Sequence, residues 1–274
     1  MTTSAPPNPP IACSRMYNLS PKIAGLWDDL FAWLGAVSGI ALDIVSHAAP
    51  APLSELWARP DMGAVFMCGF PFSLLSPEER PIPLAAPISL ADWAQGQPVY
   101  ASHIVAARDT TFAGGELATA RWGWTVRDSQ SGYNAPREFV AALPNRDAVG
   151  DTVGPLLNPR GVIDALASGK IDVGAIDAYA YQLFEMHEPD VIAPLRIVAT
   201  TRPAPFPLLV AARGQSPETL ESLRRTLLGA HRSDEGRSIL ASLGLTGFAM
   251  PDIAQYDRLP ARARDTDTAL GGAW

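Results

Sequence analysis

Two extended apolar runs far apart in the chain, Pro98 to Ala107 and Leu195 to Thr201, bracket a stretch that alternates strands and helices by itself. A chain that leaves one unit, builds a second and returns has to satisfy two cores. At 274 residues, two lobes of roughly 100 to 150 residues each are the natural size. The pattern predicts an α/β protein with residues 11–100 and 201–274 as a discontinuous first lobe. Residues 101–200 form an inserted second lobe, and residues 1–10, rich in Pro, are a disordered N-terminus. Strands alternating with helices argue for a mostly parallel sheet flanked by helices in each lobe.

Ser20, Pro21 and the apolar positions Ile23, Leu26, Trp27, Leu30, Phe31, Leu34 and Val37 mark a helix that stops at Gly39. Strands are expected over Ile40 to Ser46 and Met62 to Cys68, with a short helix at Leu53 to Ala58 between them. In the inserted stretch the expected elements are a strand at Arg121 to Val126, helices at Asn134 to Leu143 and Pro159 to Ala167, and a strand at Ile171 to Ile176. Helices at Pro217 to Leu228 and Glu235 to Leu243 then pack back on the first lobe.

Charge and composition exclude several classes. Lys plus Arg number 21 against 28 Asp plus Glu, with no basic run, so nucleic acid and acidic membranes are not expected partners. No stretch reaches the roughly 18 apolar residues of a membrane span. The first ten residues carry no signal-peptide pattern, which points to the cytoplasm. Cys13 and Cys68 are too few for a disulfide framework or a structural zinc site and read as buried free thiols in adjacent strands. His47, His103, His187 and His231 lack metal-ligand spacing, no GxSxG elbow or phosphate loop occurs, and Gly114-Gly115 lacks the companions of a dinucleotide fingerprint. No cofactor, metal or catalytic constellation is therefore expected. Trp122 and Trp124 share one face of a strand and read as core.

Three places suit ligand contact. Ser129-Gln130-Ser131-Gly132-Tyr133-Asn134, between a strand and a helix, reads as an ordinary Ser-capped turn, or as one that offers hydroxyls and backbone N–H groups to an anion, with a Gly allowing close backbone approach. Tyr17-Asn18-Leu19-Ser20 and Cys68-Gly69-Phe70 follow strands of the first lobe and share the rim where α/β sheets gather ligands. Asp177, after a buried strand, caps the next helix or meets a ligand amine or hydroxyl, and Tyr179 offers a stacking face.

In sequence order, Met16-Tyr17, Val99-Tyr100-Ala101-Ser102, Ser129 to Tyr133, Gly161 to Leu166, Gly169 and Asp172 to Asp177 resemble the substrate-binding proteins of phosphate, phosphite and phosphonate ABC transporters. The likeness runs from Arg15 to about Leu245 and implies a type 2 periplasmic-binding-protein fold with a ligand cleft between the lobes. By this resemblance Ser129, Ser131, Gly132 and Tyr133 bind an oxyanion, Asp177 meets the ligand's opposite end, and Tyr17 and Phe70 line the first-lobe wall. It implies a small, anionic ligand, an ABC permease as partner, a periplasmic location and no enzymatic activity. The alternative is a cytosolic lyase-type enzyme of cofactor or metabolite biosynthesis on the same fold. One departure stands out: Gly154-Pro155-Leu156 replaces the family's Gly-Ser-His. Losing a charge-assisted donor there costs about 1.5 to 3 kcal/mol of anion binding.

Overall fold

The computed structural model describes residues 9–112, 116–144, 149–271 and 274. Residues 1–8 of the expected disordered start, and the Gly114-Gly115 pair, lie outside the described residues. Pro10 is already tied down, its carbonyl accepting from Asp43 N at 2.9 Å. Contacts divide the chain into two compact units. The first takes the chain up to Met67 with Glu79–Pro87 and Pro207–Pro251; the second takes Cys68–Glu78, Ile88–Phe206 and Asp252–Trp274.

In the first unit the Pro21–Ser38 helix starts where Ser20 Oγ accepts from Ile23 N at 3.2 Å. It ends at Gly39, whose φ of +73° gives the left-handed turn that releases its N–H to Gly35 O. The buried face of that helix sets Trp27 edge-on to Phe66, with ring centroids 4.8 Å apart, beside Phe31. Its neighbours are the Pro217–Gly229 and Asp234–Ser242 helices, close to the expected bounds, each capped by a serine hydroxyl.

Six strands form this unit's sheet, in the order Leu245–Ala249, Ile82–Ser89, Leu208–Ala211, Met62–Met67, Ile11–Cys13, Asp43–Ile44. The expectation of a mostly parallel sheet needs correction. Ile11–Cys13 runs parallel to its two neighbours, but Leu208–Ala211 is antiparallel to Met62–Met67 and to Ile82–Ser89. The chain returns from the second unit in the opposite direction and fills the gap between two strands already laid down.

The second unit's sheet is also mixed. Its order is Leu195–Thr200, Ser102–Ala107, Val173–Asp177, Trp122–Gly123, Thr152–Val153, antiparallel across the first two pairings and parallel across the last two. A two-stranded ribbon joins Val99–Tyr100 to Ala204–Pro205. Its core holds Ile104, Trp122, Val140 and Val173, with Leu270 packed among them. The expected Arg121 to Val126 strand shortens to Trp122–Gly123 because Thr125 N is taken by Gly132 O at 3.1 Å, which folds the following loop back on the strand end. Trp122 and Trp124 are both buried.

Residues 252–274, expected in the first lobe, cluster with the second unit, and charge pairing explains why. Arg137, 5% exposed at its side chain, meets Asp267 at 2.6 Å, and Glu138 meets Arg262 at 2.5 Å, so the Leu259–Ala269 helix is strapped to the Ala135–Ala141 helix. Trp274 then packs on Trp122 with centroids 5.3 Å apart. Among the described residues no helix is long and apolar enough to cross a membrane.

Candidate functional site

The Ser129 to Asn134 turn is built by its own hydrogen bonds. Ser129 Oγ accepts from Gly132 N at 2.9 Å, and Ser129 O accepts from Asn134 N at 3.0 Å, giving one wide turn that runs into the Ala135–Ala141 helix. Gly132 is required there, because a Cβ on it would lie 2.0 Å from Thr125 Oγ1. The serine cap satisfies one first-turn amide and leaves neighbouring ones at the open end of the helix, where partial positive charge concentrates.

Three further residues meet this turn. Ser102 Oγ donates to Ser131 O at 2.9 Å, and Ser102 is also the register partner of Asp177 on the adjacent strand. Tyr100, 1% exposed, places its hydroxyl in the same region without a hydrogen-bond partner among the described residues. Burial above all, then the nearby Cys68 and Asp177, raises that phenol well above its usual range. The Ser131 hydroxyl works in the opposite sense, close by but not at hydrogen-bonding geometry. Tyr100, Ser102, Gln130, Ser131, Thr201 and Arg202 line one recess, with Arg202 3.4 Å from Glu138 at its edge. The recess is closed in this conformation.

Asp177 is buried, and its Oδ1 accepts from Tyr179 N at 2.9 Å and Ala180 N at 3.2 Å. The capping role is therefore realised, at a position that also faces Ser102. Tyr179 is fully buried and edge-on to Phe206 at 5.2 Å, and Phe206 in turn packs on Tyr100 at 5.5 Å. It buttresses Tyr100 from behind instead of presenting an open stacking face.

Tyr133 turns away from the group. Its hydroxyl accepts from Arg127 Nη1 at 2.8 Å and donates to Trp274 O at 2.9 Å, while its ring lies under the Arg137 guanidinium at 4.9 Å. Phe70, half-buried in the short Gly69–Leu74 helix, belongs to the second unit and not to a first-lobe wall. Tyr17 is buried in the first unit's aromatic core, 6.0 Å from Trp27 and 5.1 Å from Phe66. Leu156, in the histidine's place, packs over Gly123. The recess residues that sequence reasoning left out of the site are Tyr100, Ser102, Thr201 and Arg202; they come from two segments about a hundred positions apart, which no local pattern joins.

Cys13 and Cys68 are free and buried. Burial pushes the Cys68 thiol up to about 11, against the lowering effect of the Gln130 and Phe70 amides. A thiol whose folded pKa is raised above its unfolded value of 9.0 loses its stabilising contribution as pH rises from 9 to 11. Urea midpoints should fall across that window, by on the order of 2 kcal/mol from this group. The fall should be blunted in Cys68→Ala; an identical pH profile in that variant would remove Cys68 as a cause. Among the described residues no group of three or more His, Cys, Asp or Glu could hold a metal ion.

A family model described as ABC transporter, phosphonate, periplasmic substrate-binding protein matches residues 17–256. Among solved structures, the chain is similar to a binding-protein component of an ABC phosphonate transporter from Pseudomonas aeruginosa. The TM-score is 0.76 and the identity 17%, over 96% of this chain and 89% of that one. A phosphonate-binding protein from Prochlorococcus marinus in complex with methylphosphonate gives 0.71 at 14% identity, over 97% and 100%. A Xanthomonas citri protein bound to ATP gives 0.62 at 20%, over 97% and 99%. No curated protein matches this chain.

Proposed function

The chain belongs to the family of periplasmic substrate-binding proteins of phosphonate ABC transporters, and from that premise we propose that its ligand is a small oxyanion of the phosphonate or phosphate class, seated against Tyr100, Ser131 and the first-turn amides. The observation that carries this reading is the Tyr100 hydroxyl, a buried donor with no acceptor among the described residues, beside the open end of the Gln130–Asn134 turn. A buried unsatisfied hydroxyl costs about 1 to 3 kcal/mol, and a ligand oxygen placed there relieves that cost.

Apart from Arg202, which pairs with Glu138 at 3.4 Å, the donors in the recess are neutral. The hydroxyl-bearing Tyr100, Ser102, Ser131 and Thr201 line it, and Asp177 stands close by. Such a site favours an oxyanion that keeps one proton, with its acceptor oxygens on the donors and its P–OH turned to the Asp177 carboxylate. Delivery to an ABC permease completes the proposed role. The same neutrality fits the loss of the family histidine at Leu156.

Calorimetric titration with methylphosphonate and with phosphate tests this reading. At least one should bind with micromolar or tighter affinity, and Ser131→Ala should weaken it about tenfold, the loss of one hydrogen bond to a charged group. Absence of binding to either compound, or unchanged affinity in Ser131→Ala, rejects the site.

A further inference from the structure

On the strand Ser102–Ala107, successive side chains face opposite sides of the sheet. Ser102 faces the recess, and His103 faces a separate groove of about 280 Å³ that shares no lining residue with it. The groove is walled by Trp93 and Tyr181, with Ile197 and the carboxylate-bearing Asp92 and Glu185 around them. From this arrangement we propose a second small-molecule site, for an organic ammonium ion with a short apolar body, independent of the oxyanion recess.

The chemistry of the walls selects the charge. Aromatic faces attract a cation within about 6 Å of the ring centroid, and Trp is the strongest of them. Asp92 and Glu185 are exposed, and neither side chain has an ion pair or hydrogen bond with another described residue. The groove therefore presents two carboxylates. Arg108, whose charge reaches Tyr181, is held through its Nε by Ala193 O at 2.6 Å.

His103 supplies the floor. It is 9% exposed, its Nδ1 meets Thr200 Oγ1 at 2.9 Å, and its ring stands edge-on to Tyr181 with centroids 5.3 Å apart. Burial lowers its pKa to about 4, so the ring is neutral and brings no positive charge. Nε2 has no partner among the described residues, and His103 lines the groove. With Nδ1–H donated to Thr200, Nε2 accepts from an ammonium N–H. The volume lies just below the roughly 300 to 1,000 Å³ usual for ligand cavities, which keeps the ligand small.

The test follows the Trp93 indole N–H by NMR, assigned with Trp93→Phe, in the whole protein titrated with n-butylammonium and, separately, with n-butanol. A saturable shift with the ammonium and none with the alcohol is expected. Asp92→Asn/Glu185→Gln, both at exposed positions, should weaken the ammonium by about fivefold or more. The same double variant should bind methylphosphonate as the parent does, which separates this site from the recess. A shift that stays linear to about 50 mM ammonium, an equal response to n-butanol, or an unchanged affinity in the double variant overturns the proposal. Trp93→Leu gives a second check by calorimetry, with affinity lost if the ring is the platform and retained if it is not.

Discussion

Tyr100→Phe is expected to weaken methylphosphonate binding by roughly tenfold to a hundredfold while leaving the ligand-free protein at least as stable. The two halves of this expectation come from one atom. In the ligand-free protein the Tyr100 hydroxyl is buried and has no partner among the described residues, so deleting it removes a desolvated polar group and leaves the ring packed on Phe206. With an anion bound, the same hydroxyl makes a hydrogen bond to a charged acceptor, worth about 1.5 to 3 kcal/mol. Thermal melts and calorimetry on the one variant read both quantities. Lower stability with unchanged affinity would mean that the hydroxyl serves the fold and that the ligand lies elsewhere.

Gly132→Ala is expected to abolish measurable binding and to destabilise the second unit by about 2 kcal/mol or more, at the upper end of what overpacking costs. The added methyl would fall 2.0 Å from Thr125 Oγ1 and 2.8 Å from Thr125 Cγ2, so either the strand end or the turn has to move. Moving the turn breaks the Thr125 N to Gly132 O bond that holds the Ser131 carbonyl within reach of Ser102. Adding Thr125→Ala removes the two nearest clashing atoms, leaving only Cβ at 2.9 Å, and should restore part of the stability and part of the affinity. A Gly132→Ala protein that melts and binds like the parent would show that the loop is not held as described.

Several elements were legible in the sequence because their signals are local. Ser20 read as the start of a helix, and its side chain accepts from the amide three residues on, as do those of Asn158 and Ser216 at the expected starts of two other helices. The Ser129 to Asn134 segment read as an anion site or a Ser-capped turn, and the cap is present, Ser129 Oγ accepting from Gly132 N at 2.9 Å. Asp177 read as both a cap and a site residue, and the structure supports the cap directly while bringing the carboxylate beside Ser102.

Other features were hidden because they depend on partners distant in the chain. Ile82–Ser89 carries Pro83 and Pro87, residues that argue against a sheet strand, yet it lies inside the first sheet. The ladder with Leu208–Ala211 shifts register where Val210 meets Pro83, and Pro83 O is taken instead by the Arg224 guanidinium at 2.9 Å. The Leu259–Ala269 helix is polar along most of its length, and what seats it is Arg137 and Glu138, more than a hundred positions earlier. No periodicity within such a segment can report a charge pair with another.

The same division applies to the site. The sequence by itself determined the α/β class, the capped helices and the Ser129-capped turn, since each depends on residues within about one helical turn. Tertiary structure alone decided which side chains join that turn. Tyr17 and Tyr133 are rigid aromatic rings with a polar tip, as Tyr100 is, and a sequence cannot distinguish them. Packing buries Tyr17 between Trp27 and Phe66 and spends the Tyr133 hydroxyl on Arg127 and Trp274, leaving Tyr100 as the one of the three that lines the recess.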